Sequence, residues 1–268
     1  MHTTRPRKLI MLRALLVSVL LCGAIATNAT ETIAVFDEEF DVEYTLTARG
    51  LLVGRSSWLL NIDDDHLVYA VETKAVGLAA LFSNDRILES SRWLRIENVL
   101  RPHEYRYDRS GGRKEKQVSV DFNWRELSVT NTSHGKTWEM AIPDNAIDKM
   151  SYVIAMMQGL EAGQRSFEYA VADGGKLKQY TLEVTGNERL DTKLGEFDTL
   201  VVLRRRSDSD RETTFWCAPQ LRHLPIRVEH REPDGEVVVG NIESVTKLGN
   251  VTDLTPESAS RQIRNQGD

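Results

Sequence analysis

Cysteine is nearly missing from this chain: of 268 residues only Cys22 and Cys217 carry a thiol. A disulfide framework is therefore excluded, and stability has to come from a buried core. Also missing are the Gly-x-Ser-x-Gly elbow of the α/β-hydrolases, a His-Glu-x-x-His zinc helix, paired Cys-x-x-Cys ligands and a Gly-rich phosphate loop. No reaction is specified by a motif, and nothing asks for a cofactor or a metal. Excess basic charge is absent as well, with 34 Lys and Arg against 40 Asp and Glu. An acidic body of this kind is a poor partner for nucleic acid or an anionic bilayer.

Long apolar runs are absent but for one short stretch. Residues 14–25 are apolar, well below the roughly twenty residues that span a bilayer. They follow Arg5, Arg7, Lys8 and Arg13, with no acid before them, and small residues line up at Ala24, Ala26 and Ala29. A basic start, a short apolar centre and small residues at the end describe a secretory leader. Cleavage is expected after Ala29, with Ala26 as the second choice. Acylation at Cys22 would want a small residue before it, and Leu21 stands there, so Cys22 is assigned to the leader. Without residues 1–29 the balance is 30 basic against 40 acidic side chains, a net of −10. The expected address is the periplasm, with no membrane anchor after cleavage.

What is present is strand pattern. Residues 40–47 alternate apolar and polar side chains, the period of a sheet with one buried face. Residues 55–62 and 66–76 flank Asp63-Asp64-Asp65 and read as a hairpin. Further strands are expected at 86–96, 101–107, 116–122, 126–130 and 136–142, and again at 165–171, 176–185, 197–205, 212–217, 225–232 and 236–245. Asp173-Gly174-Gly175 and Pro233-Asp234-Gly235 are turns whose glycines tolerate positive φ. One helix interrupts the series: Asp148 caps it, Met150, Val153, Ile154, Met157 and Leu160 recur at helical spacing, and Gly159 and Gly163 mark its end. Residues 78–82 suggest a short helical turn. Residues 30–248 are expected as a single β-rich domain, and 249–268 as a flexible tail.

The Asp148-Lys149-Met150-Ser151 helix start, the exit at Gly163, Phe215-Trp216-Cys217-Ala218-Pro219, Leu224-Pro225-Ile226-Arg227 and the last Gly-turned hairpin form an order. With the strand pair from Tyr44 to Gly54 and with Leu100-Arg101-Pro102, this order resembles the bacterial domain of unknown function 3108 family over about residues 40–248. The resemblance implies an exported envelope protein. Its fold would be a mainly β, strongly curved antiparallel sheet, a partly closed barrel with one principal α-helix packed against it. The family brings no catalytic residues to carry over.

Each candidate site in the sequence also has a plainer role. Cys217 lies near His223 and His230 in sequence, yet a small thiol after Phe215-Trp216 on a strand packs into a core more readily than it acts as a nucleophile. Asp63-Asp64-Asp65 lacks the Gly and the distant Glu of a calcium loop and reads as a solvated turn. In Arg204-Arg205-Arg206, alternation sends the middle side chain to the opposite face from its neighbours. That makes Arg205 a candidate to hold an anionic head group inside the curved sheet, against the plainer role of an edge decoration. The Met-rich helix stripe is either ordinary core or the lid of a lipid-sized cavity.

With no reaction machinery in view, the expected function is non-enzymatic. The chain would bind an apolar or lipid-like ligand, or an envelope component, as a carrier, chaperone or assembly factor. Trp58, Trp93, Met157, Arg205 and Trp216 are the candidate binding residues, with Leu60, Val71, Leu94 and Val202 between them. The alternative is an interaction module that docks on an envelope protein by a sheet edge. A Cys217-dependent enzyme is the remote third reading.

Overall fold

The chain alternates strand and turn from residue 40 onward, and in the computed structural model nearly every strand pairs with its sequence neighbour. Residues 38–62, 66–81, 84–96, 99–112, 114–249 and 251–255 are described. The strands are β1 (Phe40–Ala48), β2 (Leu51–Ile62), β3 (His66–Ala75), β4 (Arg86–Ile96), β5 (Val99–Ser110), β6 (Lys116–Asn123), β7 (Ser128–Ser133) and β8 (Lys136–Ala141). After these come β9 (Ile147–Asp148), the helix α1 (Ser151–Glu161), β10 (Ser166–Asp173), β11 (Lys176–Thr192), β12 (Gly195–Arg206) and β13 (Ser209–Ala218). The last are β14 (Leu224–Arg231), β15 (Val237–Leu248) and β16 (Val251–Leu254).

One sheet holds them all. Its order runs from β8 back to β1, crosses to β15, and returns down to β9. The β1–β15 ladder joins the two meanders and pairs Phe40 with Leu248 at one end and Ala48 with Val238 at the other. Neighbours are antiparallel except β9 and β10, which are parallel. On one edge of β15, β14 occupies the first half and β16 the second, through Val245–Leu254 and Leu248–Val251. The segment after Gly249, expected as a loose tail, thus opens with a strand. Val251 packs against the core and gives β16 a reason to dock. Residues 256–268 and the expected leader at 1–29 lie outside the described residues, as do Asp63-Asp64-Asp65, although the hairpin they connect is formed.

The mainly β, strongly curved and incompletely closed sheet is the expected architecture. The two ends of the sheet, β8 and β9, are not paired with each other. Across the gap, Trp138 Nε1 on β8 donates to the Gly175 carbonyl between β10 and β11 at 3.5 Å, and Arg101 on β5 donates to the Asp144 carbonyl between β8 and β9 at 2.9 Å.

The helix lies on the concave side. Ser151, Val153, Ile154, Ala155, Met156, Met157, Gly159 and Leu160 are buried, so the helix is apolar nearly all round. A helix of that kind belongs inside a structure, and each fully buried Met, Leu, Ile or Val contributes about 1.5–3 kcal/mol. The opposing surface is the inner face of the strands, including Phe40, Val42, Leu60, Leu67, Tyr69 and Val202. Gly159 was expected at the helix end; it sits within the helix instead. A Cβ there would meet Phe167 Cε1 at 2.3 Å, so the glycine lets β10 approach. The end is made one turn later, where Gly163 takes φ +85°. Glu161, the last helical residue, is held by Arg222 at 2.7 Å and His223 at 2.9 Å.

Candidate functional site

Helix and sheet are locked together at the helix start. The buried Asp148 carboxylate accepts from the backbone amides of Met150 and Ser151 at 2.8 and 3.0 Å, and from the hydroxyls of Ser91 and Ser151 at 2.5 Å each. Trp93 Nε1 completes the cluster by donating to both serine oxygens, at 2.9 and 3.0 Å. Asp148 thus satisfies amides at the helix start as expected, although the N-cap position itself is Met150, and it also pins the helix to β4. Burial pushes its carboxyl above the ordinary range, and the four donors only partly oppose that shift.

Past this cluster the interior changes character. Register puts Leu46, Gly54 and Gly240 in one inward row, and Tyr44, Ser56, Thr73 and Ile87 in the next. Beside the helix the inward side chains are buried, but toward the β1–β2 turn Leu46, Thr73, Ile87 and Val228 are only half-buried. Trp58, Val71 and Tyr107 share this intermediate state and the same face. Apolar groups on the concave face that still meet water mark a candidate recess beside the first helical turn.

The floor of the recess is polar. Lys149 Nζ lies 2.6 Å from Glu89 Oε1 and over the rings of Tyr105 and Tyr107. Strands enclose it, yet 30% of its side chain is exposed, as a group at the bottom of an open recess would be. Burial works against the Lys149 charge, but Glu89 more than restores it, and its pKa stands above the ordinary value. Tyr105 donates to the same Glu89 at 2.5 Å. Asp173 accepts from Lys178 at 2.7 Å and from Tyr180 at 3.3 Å, with Arg206 at 3.8 Å. Burial raises the Asp173 carboxyl, but Lys178 and its neighbours hold it below the usual range. His230, bonded to Thr213 at 2.9 Å, is kept low by desolvation first and by the nearby Arg204 second.

The five candidate binding residues do not converge. Trp93 and Met157 are built into the packed half. Trp58 stands at the recess, its ring 4.6 Å from that of Tyr44 and its Nε1 bonded to Ser56. Trp216 is buried but on the outer face: it pairs with Val201 and Arg227, donates to Glu188 at 2.6 Å, and lies under the Arg227 guanidinium. Arg205 points outward too, 57% exposed and paired with Glu212 at 2.9 Å. The alternation was right and the phase was reversed, so Arg204 and Arg206 turn inward. Of the residues between them, Leu60 and Val202 are core, Val71 lines the recess, and Leu94 alternates with Trp93 and so faces out. Lys149, Tyr152 and Arg204 were missed as recess groups. The basic run and the Lys next to Asp148 were the only signals for them.

Cys217 sits in the core cluster, with its thiol pushed up by burial and no hydrogen bond to a described residue. His223 and His230 are bonded elsewhere. Among the described residues no three His, Cys, Asp or Glu side chains gather as metal ligands, and no helix is long and apolar enough to cross a membrane.

A groove of about 1170 Å³ lies on the other side of the sheet, across β1–β7. Outward residues such as Leu59, Ala70, Leu88 and Ser90 line it, together with charged groups. Some of those charges are matched locally: Arg106 with Glu104 and Asp121, Arg109 with Asp85, Glu72 with Lys74 and Arg86. Asp41, Asp108, Glu115 and Lys116 line it too, without an ion pair to another described residue.

Comparison with known proteins gives a fold and a family without an activity. The family model described as "Protein of unknown function (DUF3108)" matches residues 39–240. No curated protein matches the sequence. Among solved structures, the crystal structure of a β-barrel-like protein of domain of unknown function DUF1849 from Brucella abortus is similar. It has a TM-score of 0.54 and 11% identity, and the match covers 80% of this chain and 98% of that one.

Proposed function

This chain belongs to the DUF3108 family, a family of unknown function, and from that premise we propose a non-enzymatic binding protein of the cell envelope. It is exported by the leader at residues 1–29, and the recess past the helix start takes a lipid-like amphiphile. The observation that carries the reading is the half-buried state of Leu46, Ile87 and Val228 on the concave face, next to a polar floor. Apolar walls with a few convergent polar groups are the usual makeup of a small-molecule site. The helix, which was a candidate lid, fills the other half of the interior, so the binding space is smaller than a whole barrel.

Docking by a sheet edge has a specific observation too, since β8 is an end strand of the sheet. It is short, its Lys136 and Glu139 are exposed, and Trp138 is tied to Gly175. Short, charged edges are the common protection against pairing, so the edge supports this reading less than the recess supports the first.

The test is a titration of detergent-free protein with a hydrophobic fluorescent probe, together with solvent extraction and mass spectrometry of what co-purifies. Wild type should bind one probe per chain, and Ile87→Trp, which fills the recess, should weaken binding at least tenfold with the fold intact by circular dichroism. Equal binding by wild type and Ile87→Trp, or no binding by either, contradicts the reading.

A further inference from the structure

Three cations at the recess floor are answered by carboxylates: Lys149 by Glu89, Lys178 by Asp173, and Arg206 by Asp173 and Asp208. Arg204 is the exception. It is 6% exposed and forms no ion pair with a described residue. Its Nη2 donates to Thr213 Oγ1 at 2.6 Å, and its Nε is buried with no hydrogen-bond partner among the described residues. The guanidinium lies over the rings of Tyr180 and Tyr152, 5.0 and 5.7 Å from their centroids. Aromatic faces soften a buried cation but do not supply a counter-charge. The Tyr152 hydroxyl also makes no hydrogen bond to a described residue, and its half-buried side chain sits on the first helical turn at the recess floor.

A buried guanidinium without a carboxylate is costly to a ligand-free protein, because its hydration is lost and one hydroxyl and two ring faces replace only part of it. This is all the more unexpected in a chain of net charge −6, where carboxylates are abundant. The cost has a reason if the missing charge arrives with a ligand. Resting on the recess reading, we infer that Arg204 anchors an oxyanion head group, carboxylate or phosphate, of the bound amphiphile. The Tyr152 hydroxyl is the second donor, and the alkyl chain lies along Leu46, Ile87 and Val228. The Tyr180 ring and Thr213 hold the guanidinium plane in place, which suits two-point recognition of an oxyanion.

Isothermal titration with decanoate, decyl phosphate, decanol and inorganic phosphate tests this. Decanol reports the apolar recess alone, and the two charged amphiphiles add the anchor. Wild type should bind at least one of the charged amphiphiles roughly 10- to 100-fold more tightly than decanol, the range of a hydrogen bond to a charged group. The tighter of the two identifies the head group. Arg204→Met should erase that preference, weaken the charged amphiphile at least tenfold more than decanol, and melt no lower than wild type when ligand-free. Equal wild-type affinity for decanol and both charged amphiphiles overturns the anchor while leaving the recess standing; a preference that survives Arg204→Met does the same. Inorganic phosphate binding as tightly as decyl phosphate overturns the amphiphile. No binding of decanol or the charged amphiphiles overturns the recess reading and the anchor with it. Should Arg204→Met fail to fold, the wild-type comparison and Arg204→Gln decide the matter.

Discussion

Replacing Asp148 by Ala removes the acceptor on which the helix start converges. Four donors lose their partner: the amides of Met150 and Ser151 and the hydroxyls of Ser91 and Ser151. One hydroxyl has somewhere to go, since the two serine oxygens are already 3.1 Å apart and one can donate to the other. The amides are fixed by the backbone, and each buried unsatisfied donor costs about 1–3 kcal/mol. Relief of the buried carboxylate offsets part of this, so a net loss of about 2–4 kcal/mol follows. Asp148→Asn keeps one oxygen for the amides and turns its NH2 toward hydroxyls that can accept, so its loss should be about half as large. Urea unfolding at neutral pH, read as the midpoint at constant slope, measures both. The pH dependence follows from the sign of the shift. The folded carboxyl titrates above its ordinary 3.8 because burial disfavours the charge. The folded state therefore holds the proton more tightly than the unfolded chain does. That contribution is full below the ordinary value and is lost as pH rises through the folded one. The stability gap between wild type and Asp148→Asn should accordingly narrow from acid toward neutral pH. A loss under 1 kcal/mol for Asp148→Ala, or equal losses for Ala and Asn, would refute the reasoning.

Other positions give independent checks. Gly159→Ala places a methyl 2.3 Å from Phe167 Cε1. It should destabilise by about 1–2 kcal/mol despite the better helix propensity, and Phe167→Leu in the same chain should recover much of that in thermal melts. Met157→Ala should cost about 2–5 kcal/mol in urea, as a buried core truncation does. Arg205→Ala, an exposed ion-pair partner, should change stability by less than about 0.5 kcal/mol and leave ligand binding untouched. His223 and His230 both titrate below 6.5 in the fold, chiefly because burial disfavours their charge. The unfolded chain takes up their protons first, so stability should fall as pH drops through about 6.5 and below. His230→Gln should flatten that fall. An unchanged slope would count against the burial argument.

The sheet was legible because alternation along β1, β3 and β10 follows from one buried face, and because Gly174, Gly175 and Gly235 do take the positive φ their turns require. The helix was legible because its apolar spacing breaks the alternation. Phase was harder to read. Around Trp216 four successive residues, Phe215 to Ala218, are buried, so apolarity alone does not say which of them faces in. Trp216 is covered from outside by Arg227 and the long β11 extension, a contact between strands distant in sequence. The same uncertainty of phase reversed Arg204 and Arg205. A ladder irregularity between Arg204 and Arg206 adds to it, and no local residue announces such a bulge. Gly159 was read as a helix stop because the ring it accommodates, Phe167, belongs to a strand whose approach only the tertiary structure fixes. β16 is hard to read because Val251–Leu254 is short and half polar, and it forms only because β14 leaves half of one edge of β15 free.

The proposed recess can be probed with one engineered thiol. In residues 30–268 the native thiol, Cys217, is sealed in the core, which leaves Ile87→Cys as the reporter. Its modification by a small aqueous thiol reagent should be fast, and should slow at least tenfold when decanoate or decanol is added. A thiol at position 87 as inert as Cys217 in the native protein, or one whose rate ignores both molecules, would contradict an open site for an alkyl chain.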